Sequence, residues 1–197
     1  PFPAERPTQP PASLGAFLWH YTKPIWPFLA LTSVLIATIS GLQVMLFAFL
    51  GNVVDWLTEA DPATFFADEA TGLFWMGFVV LVLLPILSFI HTMLMHQTLF
   101  GNYPMTMRWK AHRYMLGQSF GFYQDEFAGR VATKVMQTSL SVRETVVKLV
   151  DVFIYVGVYF LGTLVLVITL DWMLAIPFVL WRAFYVGTLW YFLPKMR

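Results

Sequence analysis

Two long intervals without an ionised side chain decide what this chain can fold into. Across residues 24–54, and again across 70–107, no Asp, Glu, Lys or Arg occurs, and apolar side chains fill most of both stretches. A helix needs about 20 apolar residues to cross a bilayer, and a charge at mid-membrane costs about 2.5 to 3.5 kcal/mol on insertion scales. Water-soluble domains carry about 25 % charged residues; here 12 % are charged and 58 % are hydrophobic. The excess apolar mass requires lipid as a second solvent, and the expected fold class is an all-α membrane protein, a polytopic helical bundle. The absence of cysteine excludes disulfides, thiolate metal sites and cysteine nucleophiles. Twelve basic against eleven acidic residues leave no positive excess that would argue for nucleic acid.

Four spans are expected. The first covers 26–57, with Trp26 and Trp56 as interfacial anchors. The second covers 72–118, leaving the bilayer core around His91 to His96 and continuing as helix into water. The third covers 130–170, and the fourth 172–194, which crosses only if it tolerates Arg182 near its middle. The outer loop 58–71 holds Glu59, Asp61, Asp68 and Glu69 and no basic residue, whereas Arg108, Lys110, Arg113, Arg130, Lys134, Arg143 and Lys148 all fall on the inner extensions of spans two and three, between their apolar parts. Basic residues are retained on the cytoplasmic side of short loops, so the N-terminus and the long inner connection are expected in the cytoplasm. The proline-rich start, 1–13, lacks the apolar core of a signal peptide and reads as a flexible tail. Leu14, Phe17, Leu18 and Tyr21 then share one face of a short interfacial helix over 14–23, ended by Pro24.

The inner connection carries helical patterning throughout. Met107, Ala111, Tyr114 and Met115 recur at helix spacing, so that span two and its extension run some 46 residues, on the order of 70 Å at 1.5 Å per residue. After a break at Gly121 comes a short aromatic and acidic turn, and then Val131, Val135, Thr138, Val142, Thr145 and Leu149 step into span three. Two long helices projecting into the cytoplasm, joined by an exposed aromatic turn over 119–129, are the expected arrangement.

The run from Gly117 to Val135, which reads GQSFGFYQDEFAGRVATKV, followed by Val142-Arg143-Glu144, resembles the first intracellular loop of exporter-type ABC transporters. The order of interfacial helix, span, outer loop, long span, aromatic turn, long span, tight outer turn and fourth span also resembles the N-terminal two-thirds of that family's transmembrane domain. The resemblance implies that Phe122, Tyr123, Gln124, Asp125, Glu126 and Phe127 form a coupling element. The aromatics would insert into a groove on a cytoplasmic ATPase domain while the carboxylates meet its basic rim. It further implies a homo- or heterodimer in the plasma (bacterial inner) membrane, alternating access, and ATP with magnesium at nucleotide-binding domains. No phosphate-binding loop occurs in this sequence, so no catalytic residue is expected in it. The chain begins at Pro1 and stops at Arg197 just after an apolar run. It is expected to be part of a longer protein, with spans five and six and the nucleotide-binding domain beyond.

Arg182, His91, His96 and Gln97 are the candidate translocation-pathway residues, because intramembrane ionisable and polar groups face cavities or partners rather than lipid. A structural ion pair or snorkelling is the competing reading for Arg182, and helix-to-helix hydrogen bonding or interfacial solvation for the others. His91 and His96, five apart, do not make the i, i+4 metal face, so no metal site is expected, and a haem or quinone subunit is discounted with it. Aromatics, at 18 % of the chain, could line a cavity for an amphipathic substrate or simply pack against lipid. The alternative of a different class is a stand-alone four-span scaffold or signalling subunit whose hairpin recruits a partner.

Overall fold

The structure, a computed structural model, describes residues 8–59, 65–125 and 128–196. Glu126 and Phe127 of the expected coupling turn lie outside the described residues, as do 1–7 of the proline-rich start and 60–64 of the outer loop. Ten α-helices occur among the described residues: α1 Leu14–Thr22, α2 Trp26–Glu59, α3 Phe65–Asp68, α4 Ala70–Phe78, α5 Leu84–Leu94, α6 Tyr103–Leu116, α7 Phe120–Asp125, α8 Ala128–Val147, α9 Phe153–Leu170 and α10 Trp172–Phe192. No strand occurs among them. Helical stretches long and apolar enough to cross a membrane run over Leu14–Thr58, Ala70–Leu116, Gly129–Leu170 and Trp172–Phe192. The protein is thus a multi-pass helical membrane protein.

Three π-helical turns interrupt these stretches, at Val79–Leu83, Met95–Asn102 and Lys148–Val152. Proline explains two of them. Pro85 and Pro104 each lack the N–H that would bond the carbonyl four residues back, and a local π turn gives such orphaned carbonyls other donors where water is scarce. The third has no proline beside it; it carries Asp151. Pro24 follows the end of α1 at Thr22 and sits in a 3-10 turn over Lys23–Ile25, near its start, where no N–H is needed; the chain continues from there as α2.

The chain divides into two compact units, one made of residues up to Ile39 with Val80–Tyr155, the other of Ser40–Val79 with Val156 onward. The first has its core among α1, the start of α2, the second π turn, α6 and α8. Tyr21, Leu29, Met95, Leu99, Tyr103, Met107, Val142, Val146 and Val147 are buried there, with Phe17 and Leu18 packed against them. Two polar contacts tie it together: the Thr22 and Tyr103 hydroxyls lie 2.9 Å apart, and Arg108 Nε donates to Ser139 Oγ at 2.9 Å. The row of α8 turned inward is Val131, Val135, Ser139, Val142 and Val146, whereas Thr138, Thr145 and Leu149 are exposed. Ser139 takes the inward place because its hydroxyl receives the arginine. Thr138 and Thr145 instead line an open groove of about 410 Å³ shared with Leu14, Phe17 and Leu18 of α1.

In the second unit, close approach is made by glycine. A Cβ at Gly162 of α9 would stand 3.1 and 3.2 Å from the two methyl carbons of Val44 on α2, and one at Gly72 of α4 would stand 2.7 Å from the Trp56 ring. Phe47 of α2 meets Tyr159 of α9 edge to face at 6.4 Å. One residue, Asp171, separates α9 from α10. Its carboxylate accepts the Met173 N–H at 2.8 Å, capping α10 and permitting the tight reversal.

Candidate functional site

The hairpin of α6 and α8 carries the aromatic tip. α6 ends where Gly117 opens to φ −89°, ψ 0°, and the Gly117 and Gln118 amides bond back to the Tyr114 and Met115 carbonyls at 3.2 and 2.9 Å. Ser119 then starts α7, its hydroxyl and carbonyl accepting the Phe122 amide at 3.4 and 3.2 Å. The break thus falls at 117–119. Gly121 sits inside α7, and the expected aromatic turn contains a short helix, because a serine cap begins a helix more effectively than a glycine two residues on.

Tyr123 is pinned by its own hydroxyl, which donates to the Met115 carbonyl at 2.6 Å, and Phe122 packs edge to face on it at 5.3 Å. Both remain over a third exposed, and Gln124 is exposed beside them. Phe120, outside the expected coupling set, is 78 % exposed. Sequence reasoning missed it by treating the segment as a turn; with Ser119 as cap, Phe120 and Tyr123 are three apart on one helix face. Asp125 ends α7.

The membrane-level candidates fall in both units. In the first, His91 Nε2 of α5 lies 3.2 Å from Asp151 Oδ1 in the third π turn. His96 stacks on Phe100 with ring centroids 5.4 Å apart, and the Arg143 guanidinium stands over the same Phe100 ring at 5.1 Å. Arg143 also pairs with Glu144 at 3.3 Å. His96 and Gln97 are exposed on the π turn that buries Met95 and Leu99. No three His, Asp or Glu side chains converge to share a metal ion among the described residues.

In the second unit, Arg182 of α10 stands over two rings, with Cζ 4.9 Å from the centroid of Phe160 on α9 and 5.8 Å from that of Tyr185 one turn on. Each ring is itself stacked, Phe160 on Phe178 at 5.1 Å and Tyr185 on Trp181 at 6.0 Å. Among the described residues no carboxylate lies within ion-pair distance of Arg182. His91 as the partner of Asp151, and Phe160 as that of Arg182, lie on helices remote in sequence and were not legible beforehand.

A multi-pass helical membrane domain with a capped, aromatic hairpin tip is the class these features define. The chain matches the family model described as ABC transporter transmembrane region over residues 29–197, and it belongs to that family. It is also 39 % identical over 197 residues to a protein of Haemophilus influenzae described as an uncharacterized ABC transporter ATP-binding protein. All of this chain is covered in that comparison and 32 % of the relative, so the chain spans about a third of the relative's length. No solved structure matches the chain.

Proposed function

We propose that this chain is the N-terminal part of the membrane domain of an ATP-driven exporter. It would move an amphipathic or hydrophobic substrate out of the cytoplasm by alternating access, paired with a second transmembrane half as a homo- or heterodimer. The observation that carries the reading is the tip of the α6–α8 hairpin. Phe120, Phe122 and Tyr123 present apolar surface at the end of an element rich in basic residues, where no local core covers them. Such a patch suits a groove on a nucleotide-binding domain, with ATP and magnesium held in that domain and not by these residues. The charge bias favours the cytoplasmic side of a bacterial inner membrane for the tip and the N-terminus. Arg108 bonded to Ser139 and the shared core of α6 and α8 make the hairpin stiff enough to carry a displacement of the tip towards the spans.

For the pathway, Arg182 is the strongest candidate, and His96 and Gln97 are exposed enough to contribute. His91, 3.2 Å from Asp151, suits a tie between α5 and the third π turn better. The test is substitution in the full-length protein: Phe122→Ala and Tyr123→Ala together should leave ATP binding intact and lower transport-coupled hydrolysis severalfold. Unchanged coupling would show that the tip is not the docking element and would favour the scaffold alternative.

A further inference from the structure

Arg182 is placed where a cation has least help. α10 runs 21 residues from Trp172 to Phe192, and Arg182 is central, about 15 Å of helix from either end at 1.5 Å per residue. The aromatic pairs Phe160/Phe178 and Trp181/Tyr185 flank it and stabilise the positive charge through their ring faces. Ring faces do not satisfy N–H donors. A guanidinium carries five of them in one plane, arranged to grip a carboxylate or phosphate with two parallel bonds, and among the described residues no oxygen accepts from Arg182. The charge is therefore held in position by groups that leave its donors open. On the same face of the helix, one and two turns on, Val186 and Leu189 expose apolar surface.

We propose that Arg182, seated between Phe160 and Tyr185, binds the anionic head of an amphiphile, a phosphate or carboxylate carried on an apolar chain that lies along Val186 and Leu189. The proposal rests on the exporter reading only in treating this amphiphile as cargo; the binding itself is read at equilibrium without ATP. The two can therefore fail separately.

The probes are dodecyl phosphate and dodecanol, titrated into the full-length protein in phosphatidylcholine nanodiscs. The wild type is expected to bind dodecyl phosphate at least tenfold more tightly than dodecanol. Arg182→Gln should weaken dodecyl phosphate about 10- to 100-fold, the range for losing charge-assisted hydrogen bonds, and leave dodecanol unchanged. Arg182→Lys should recover part of the loss, since it restores the charge without the fork, and Phe160→Leu should weaken the phosphate probe severalfold. Equal binding of both probes by the wild type overturns the proposal whether or not the variants fold, and so does a folded Arg182→Gln protein that still prefers the phosphate. ATP-dependent appearance of dodecyl phosphate in the opposite leaflet of proteoliposomes identifies the anion as cargo. Binding without ATP-dependent movement, with an anionic lipid co-purifying with the wild type and not with Arg182→Gln, identifies a resident lipid; the anion site then stands and only its role as cargo falls.

Discussion

Adding one methyl group to Gly162 should cost stability, whereas the same change at Gly157 of the same helix should not. A Cβ at Gly162 would stand 3.1 and 3.2 Å from the Val44 methyl carbons and 3.4 Å from its Cβ, inside the roughly 3.5 to 4.0 Å optimum for carbon contacts. Val44 is β-branched and in a helix, where one rotamer dominates, so it cannot swing away cheaply. The helices must part by a few tenths of an ångström, and overpacking of this kind costs about 1 to 3 kcal/mol. Against it stands the helix-propensity gain of alanine over glycine, about 1 kcal/mol. At Gly157 nothing lies within 4 Å of the place a methyl group would take, so Gly157→Ala takes the gain without the clash. Gly162→Ala is expected to be about 1 to 3 kcal/mol less stable than Gly157→Ala in denaturant titrations of the full-length protein in mixed micelles. Equal stability of the two variants, or a more stable Gly162→Ala, would refute the close approach of α9 to α2.

Other consequences are as direct. Tyr103→Phe removes one member of a buried hydroxyl pair and should cost about 1 to 3 kcal/mol, while the Thr22→Val, Tyr103→Phe double variant should lose less than the sum of the single changes; thermal unfolding of all four proteins measures the difference. Asp151→Leu and His91→Leu should each destabilise, and a double-mutant cycle should return a coupling of about 0.5 to 3 kcal/mol, with zero coupling meaning that the 3.2 Å contact carries no energy. Tyr123→Phe deletes only the bond to the Met115 carbonyl. It should increase hydrogen exchange at 117–125 while retaining the ring proposed to dock, so its hydrolysis should exceed that of Tyr123→Ala.

The spans were readable because lipid leaves the backbone few choices: a charge-free apolar stretch must be helix, and its length can be counted. The hairpin was readable from apolar periodicity, but its details turned on single polar atoms. Ser139 turns inward on α8 where Arg108 reaches across to it, and Ser119 moved the start of the tip helix ahead of Gly121. Periodicity says which side of a helix is apolar and not what it meets, so the contact of His91 with Asp151, of Thr22 with Tyr103 and of Arg182 with Phe160 could not be assigned beforehand. Tyr185 lies three residues after Arg182, on the same side of the helix, and was within reach of sequence reasoning. Gly162 has no small-residue repeat around it that would mark a close approach, and its partner is a single valine on another helix.

The coupling of the hairpin tip to ATP hydrolysis is tested most directly by one comparison. Vanadate-sensitive ATP hydrolysis by the full-length protein in nanodiscs should be measured beside a Phe120→Ala, Phe122→Ala double variant, with ATP binding followed in both. The expected result is vanadate-sensitive turnover in the wild type, and in the variant full ATP binding with turnover reduced severalfold. Absence of hydrolysis in the wild type, or identical turnover in the two proteins, would contradict the assignment of the tip as the coupling element.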